Sequence, residues 1–431
     1  MKVALVNPRW DFGKSIYFGC RCPHLPLELG YAKALLEAAG HDVLMLDGHL
    51  CDTANTVLAD EIAAFSPDMT VVTTAPSYLF WRCAQPELRV PRDLLIALGA
   101  RGGRTVAVGP HGSVTPETTL RKLAVDVVVR GECEEIVTRL AEATVLAAVP
   151  SIAFLDGDKV RVTGGPHAAR FTDLPALRWP DAWIARHHHH HHRFDRKPER
   201  PGAEVEASRG CPYHCSFCAK IDFRDQYRKR DLEPLLAEID GLIAQGVEYL
   251  YFIDEIFLPQ KPLLEALVSR PVQFGLQTRI DLWKPEMLDL LGAAGCVSIE
   301  AGVESLTVEG RAMLDKQCRM STDDLAERLV YARRTVPFVQ ANLIETANDD
   351  PELVASWREG LRTQGVWAND PVPLYPYPSS PDYRKLWGMP DERAWERAHA
   401  HYLAQFHDFS DIQEERPVAL PELERACCAT C

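Results

Sequence analysis

No apolar run in the sequence approaches the roughly 18 residues that cross a bilayer. The opening Met1-Lys2-Val3-Ala4-Leu5-Val6-Asn7-Pro8 also lacks the longer apolar core of a secretory signal. It reads as a first strand turned at proline, so a cytoplasmic protein without a membrane partner is expected. Positive charge is short as well: Lys and Arg number 47 against 61 Asp and Glu, a formal net charge of −14. That balance excludes a general affinity for nucleic acid or anionic membrane. A complete intrachain disulfide framework is excluded too, because the 13 cysteines are odd in number.

What is present is an ordinary globular composition, 46% apolar and 25% charged, in 431 residues that suit two or three domains. The first 150 residues alternate apolar runs (Val3–Val6, Val43–Leu46, Met69–Thr74, Thr105–Val108, Val125–Val129) with helical patterns such as residues 27–36. Strands this apolar predict a parallel sheet covered by helices on both faces, a doubly wound α/β domain. Its ligands would sit beyond the carboxyl ends of the strands. There lie Asn7-Pro8, Thr74 to Ser77, Gly109-Pro110-His111-Gly112-Ser113 and Gly131-Glu132.

Residues 151–200 read as a small β excursion and a linker that contains six consecutive histidines, His187 to His192. A second alternation begins near 201. Strand runs are expected at Glu204–Ala207, Tyr249–Ile253, Phe274–Thr278, Val297–Ile299, Phe338–Leu343 and Val366–Ala368, with a helix at Leu232–Gln245. Six βα units over 201–370 suit a partial or full barrel. Residues 371–431 form an extension that opens with six prolines and Tyr375, Tyr377, Tyr383 and Trp387 within Pro371–Pro390, either a pocket cap or a surface wrap.

Six of the cysteines fall in two tight clusters, a pattern of metal or redox chemistry in a reducing compartment. The first is Ser208-Arg209-Gly210-Cys211-Pro212-Tyr213-His214-Cys215-Ser216-Phe217-Cys218, with spacing C-x3-C-x2-C directly after the first barrel strand. Three thiolates on one loop can hold three irons of a four-iron cubane. A zinc site with His214 as fourth ligand is the alternative reading of the same residues. The motif and the βα units behind it resemble the radical S-adenosylmethionine (SAM) superfamily. The resemblance implies a 4Fe-4S cluster on Cys211, Cys215 and Cys218 whose open iron chelates the amino and carboxylate groups of SAM. It implies Phe217 beside the adenine, Asp254 or Glu255 at the SAM amino group, Arg279 at the carboxylate and Glu304 as a further polar contact. An ordinary ion pair at the barrel rim is the alternative for Arg279 and Glu304. An external electron donor such as flavodoxin or ferredoxin is implied as well.

The open sheet ahead of such a barrel resembles the cobalamin-binding subgroup of that superfamily. Pro8, Thr74, Ser77, Gly109, His111, Ser113, Gly131 and Glu132 then line the corrin. The signature D-x-H-x-x-G is missing after the first strand, so a histidine lower ligand from that motif is not expected; a domain that binds no cobalamin is the alternative.

The second cluster closes the sequence: Cys427-Cys428-Ala429-Thr430-Cys431. Three thiols so close suit a soft, three-coordinate centre. A second iron–sulfur site, an electron-carrying dithiol and a trithiolate pocket for arsenite are the readings. The last is similar to the radical SAM enzymes of arsinothricin antibiotic biosynthesis, which carry a C-terminal C-C-x-x-C motif. That similarity implies a transferase that delivers the 3-amino-3-carboxypropyl group of SAM to As(III) on Cys427, Cys428 and Cys431. The competing expectation is cobalamin-dependent methylation of an unactivated carbon.

Overall fold

The computed structural model of the chain describes residues 1–18, 21–77, 83–188, 201–406 and 415–425. Cys20, His189 to His192 and the tail cysteines Cys427, Cys428 and Cys431 lie outside them. Among the described residues no helix is long and apolar enough to cross a membrane.

The first sheet contains β1 (Lys2–Asn7), β2 (Asp42–Asp47), β3 (Met69–Thr73), β4 (Arg104–Val108), β5 (Val127–Val129), β6 (Ile152–Asp156) and β7 (Lys159–Thr163), in the order β2-β1-β3-β4-β5-β6-β7. The first five strands are parallel. Strand alternation sends successive residues to opposite faces. Val3 and Leu5 therefore join one apolar cluster and Ala4 and Val6 another. Both faces are covered, as the unbroken apolar runs require. The β excursion expected after residue 150 is the β6–β7 hairpin, which continues this sheet antiparallel from β5.

The second sheet is wholly parallel, in the order β15-β14-β13-β12-β11-β8. Its strands are β8 (Gly202–Val205), β11 (Tyr249–Phe252), β12 (Gln273–Thr278), β13 (Cys296–Glu304), β14 (Phe338–Leu343) and β15 (Trp367–Ala368). Between β8 and β11, the two-residue strands β9 (Ser208–Arg209) and β10 (Arg228–Lys229) pair as an antiparallel ribbon. Helices Leu232–Ala244, Lys261–Leu267, Pro285–Ala293, Thr322–Thr335 and Pro351–Thr363 connect the parallel strands. The strand order is linear, with β8 and β15 at opposite edges, so this is an open, partial (β/α)6 barrel.

Two devices join the halves. The apolar cluster that holds Val3 and Leu5 continues through Tyr31 and Phe171 to Tyr251, Trp283 and Tyr402. His187, the first of the histidine run, is fully buried: Nδ1 lies 2.6 Å from Gly202 O, and Nε2 lies 3.1 Å from Pro23 O and 3.3 Å from Glu204 Oε1. Every one of these atoms is an acceptor, so both ring nitrogens carry a proton and the ring is an imidazolium. After β15 the chain returns to the first domain. Trp395 Nε1 donates to Thr115 Oγ1 (3.2 Å) and Val418 N to Lys14 O (3.0 Å).

Candidate active site

The chain leaves β8 and reverses through β9 into the three-cysteine loop. Gly210 has φ +76°, and a Cβ there would collide with the backbone carbonyl of Gln226, so only glycine fits. Its N–H donates to Glu255 Oε2 at 2.7 Å. Lys220 Nζ, inside the loop's base, donates to Cys211 O (2.6 Å) and Asp225 O (2.8 Å). Cys218 N closes a turn on Cys215 O (3.1 Å), and Ser216 N docks the loop on Leu314 O (2.9 Å). Cys211, Cys215, Phe217 and Cys218 are all half-buried.

Burial pushes the Cys215 thiol up to about 12, against the pull of Lys316 and Arg279. Such a thiol ionises only when a metal takes it. Among the described residues no three His, Cys, Asp or Glu side chains converge closely enough to hold a single ion. His214 is 63% exposed and lies 4.0 Å from Asp225. His214 is thus poorly placed as a fourth zinc ligand, whereas a cubane asks each thiolate to hold its own iron, and the loop supplies three cysteines. The donor set fits the cluster.

Asp254 and Glu255, beyond β11, both grip this strand–loop corner. Asp254 is fully buried and accepts from Ala207 N (2.9 Å) and Ser208 Oγ (2.5 Å), and burial raises its carboxyl well above the usual range. Glu255 Oε1 accepts from Arg224 Nη1 at 2.8 Å while Oε2 holds Gly210. Arg279, after β12, forks onto Asp281 (2.7 and 3.1 Å), lies 4.0 Å over the Tyr213 ring and donates to Lys316 O (2.6 Å). Glu304, at the end of β13, pairs with Lys316 at 3.1 Å. Arg279 and Glu304 are thus ion-paired beside the cysteine loop, joined by Lys316, which sequence reasoning passed over.

A buried charge network backs the same loop. Arg209 is fully buried and meets Glu134 (2.6 Å), Glu206 (2.8 Å) and Glu132 (2.9 Å), with its guanidinium over Phe171 and Tyr31. Arg224 bridges Glu206 (2.5 Å) and Glu255 (2.8 Å), and Arg228 pairs with Glu132. Burial alone would protonate Glu132 and Glu206, but the guanidinium groups prevail and hold both below the usual carboxylate range. Glu132, expected at a corrin, is committed here to the junction between the two halves.

The other strand-end residues gather at the carboxyl edge of the first sheet. Pro8 is buried there. Ser113 Oγ donates to Gly109 O and accepts from Gly131 N, both at 2.9 Å. Gly109 has φ +139°, with no room for a Cβ beside Thr74. His111 Nε2 lies 2.9 Å from Gln85 O, its ring 4.5 Å from that of Trp395, and burial lowers it to about 3. The ring is therefore neutral, with Nε2 the protonated nitrogen and Nδ1 a bare lone pair. Thr74 Oγ1, Ser77 Oγ, Gln85 Oε1 and His111 Nδ1 are buried without a hydrogen-bond partner among the described residues. Orphaned polar atoms in this number suit an amide-rich ligand such as cobalamin. Two cavities meet at this edge, with Trp395 in both linings. One, of only about 10 Å³, is lined by Pro110, Ser113, Ala219, Phe223 and Tyr377; the other, of about 340 Å³, by Pro86, His111, Thr115 and Arg121. Asp47-Gly48-His49 forms a separate turn, with Asp47 Oδ1 accepting from His49 N and Leu50 N.

Residues 205–355 match the Radical SAM superfamily and residues 22–141 a B12 binding domain. The chain is 25% identical over 321 residues to an uncharacterized methyltransferase of Pyrococcus horikoshii, covering 71% of this chain and 66% of that protein. It is 24% identical to the anaerobic magnesium-protoporphyrin IX monomethyl ester cyclase of Cereibacter sphaeroides, over 90% of this chain and 64% of the relative. It thus spans just under two thirds of the length of these relatives. A hopanoid C-3 methylase of Methylococcus capsulatus is 27% identical over 81% of this chain and 67% of its own. The fold is shared with TsrM, a radical S-adenosylmethionine methyltransferase from Kitasatospora setae solved with cobalamin and a 4Fe-4S cluster. That match has a TM-score of 0.70 at 20% identity, covering 88% of this chain and 76% of TsrM.

Proposed function

We propose that this chain, which joins a B12-binding domain to a radical SAM domain, is a cobalamin-dependent radical SAM methyltransferase acting on an unactivated carbon of a small molecule. One observation carries the reading. A narrow internal void of about 10 Å³ is lined both by Pro110 and Ser113, at the strand ends of the first sheet, and by Ala219 and Phe223, just past the third cysteine. The two half-sites therefore share a wall, as methyl transfer between them demands.

Cys211, Cys215 and Cys218 hold the cluster in this reading, which when bound supplies one electron from a donor of the flavodoxin or ferredoxin class. Pro8, Thr74, Ser77, Gly109, His111, Ser113 and Gly131 line the place of cobalamin, which when bound supplies a methyl carrier. Phe217 flanks the adenine of SAM. Arg279 meets the SAM carboxylate, already aligned by Asp281 and by its stack on Tyr213. Asp254, Glu255 and Glu304 fix the amino end, the first two through the backbone corner that they hold. The aromatic wall of Tyr375, Tyr377 and Trp395 keeps water from the reacting centre.

The tail supports a second reading. Cys427, Cys428 and Cys431 would bind As(III), and the 3-amino-3-carboxypropyl group of SAM would pass to arsenic in place of a methyl group. One experiment separates the two. The protein is reconstituted anaerobically with iron, sulfide and cobalamin, given reductant and SAM with and without arsenite, and the SAM-derived products are identified by mass spectrometry. S-adenosylhomocysteine with 5′-deoxyadenosine supports methyl transfer. Methylthioadenosine that rises with arsenite, and loss of the arsenic product in Cys428→Ser, support the second reading and overturn the first. Cys211→Ala must abolish every product in either case.

A further inference from the structure

Lys316 takes no part in the chemistry above, yet the fold goes to some length to place it. The residues on either side, Asp315 and Gln317, both have left-handed backbone, with φ +50° and +56°. Such a conformation is unfavourable for a non-glycine residue, so surrounding contacts must impose the turn. Leu314 O, on the same turn, receives Ser216 N from the cysteine loop, and Lys316 O receives Arg279 Nη1. The Lys316 side chain is 3% exposed and its ammonium meets Glu304 Oε1 at 3.1 Å. Glu304 is itself left-handed, at φ +69°. Three strained residues thus converge on one buried ion pair against the loop that holds Cys215.

The potential of an iron–sulfur cluster depends on nearby charge, hydrogen bonding and exposure, and the groups behind its ligands tune it. We propose that Lys316 sets the reduction potential of the cluster as a positioning residue, its ammonium favouring the reduced state and Glu304 opposing it. The proposal rests on the reading that Cys211, Cys215 and Cys218 hold a four-iron cluster.

The test is a dithionite redox titration of the reconstituted protein followed by electron paramagnetic resonance, for wild type, Lys316→Met, Lys316→Arg and Glu304→Gln. Lys316→Met is expected to disfavour reduction about tenfold, a potential about 59 mV more negative for one electron. Glu304→Gln should move it in the positive direction, and Lys316→Arg should stay near wild type. Potentials that do not move, or that move the same way in Lys316→Met and Glu304→Gln, overturn the proposal. If Lys316→Met fails to load the cluster, Glu304→Gln decides alone, and no positive shift refutes it. A wild-type protein that assembles no four-iron cluster refutes the cluster reading instead.

Discussion

Replacing Arg209 by leucine removes the cation shared by three buried carboxylates, and the structure says which one suffers. Glu206 keeps Arg224 and Glu132 keeps Arg228. Glu134 keeps nothing: Oε1 bonds Arg209, and Oε2 has no partner among the described residues. Stranding one buried charge costs about 3–5 kcal/mol. For domains of this size that lowers the melting temperature by about 6–20 °C. The added change Glu134→Gln discharges the stranded group, leaving the smaller cost of a buried amide at about 1–3 kcal/mol. Thermal melts of wild type, Arg209→Leu, Glu134→Gln and the double variant form a cycle that isolates the coupling. The double variant should melt above Arg209→Leu. A double variant no more stable than Arg209→Leu would show that lost packing, not a stranded charge, is the cause.

Three further outcomes are expected. Gly210→Ala forces a Cβ into the Gln226 carbonyl at φ +76°. Iron and sulfide per chain after reconstitution should fall by more than half, and full loading refutes the role of this turn. Burial opposes charge on His187, but Glu204 and the Gly202 carbonyl overcome it and, with Asp47, raise its pKa. The proton is held more tightly in the folded state, so the stabilisation is complete below about pH 6.5 and is lost as pH climbs through the raised value. The stability gap between wild type and His187→Gln should therefore shrink as pH rises above about 6.5, and a constant gap refutes the imidazolium assignment. Trp395→Ala uncovers His111, whose pKa should climb from about 3 toward the ordinary histidine value in NMR titration. No movement would mean that other groups bury the ring.

The parallel strands were legible because they are covered on both faces and therefore apolar without interruption. Phe338–Leu343 forms over the very residues that its pattern predicts. The cysteine loop was legible from spacing alone. The charges behind it were not. Glu204, Glu206 and Arg209 resemble surface residues in sequence, and their partners lie far away in the chain: Arg209 and Glu132 are 77 residues apart. Lys316 carries no local mark, since its importance comes from left-handed neighbours that are neither glycine nor asparagine. His187 hides within a homopolymeric run whose residues are chemically identical, and only its fit between Pro23 O and Gly202 O distinguishes it. Trp395 meets Thr115 across 280 residues, a distance that no periodicity bridges.

The carboxylates contributed by the first domain and the guanidinium groups contributed by the second act as lock and key for assembly. A barrel grafted onto a foreign N-terminal domain would bury Arg209 against a surface without Glu132 and Glu134. An N-terminal domain given a foreign barrel would hide two uncompensated acids. Chimeras among relatives will therefore succeed only when Glu132, Glu134 and Arg209 travel together, and recombination points that separate them should be barren.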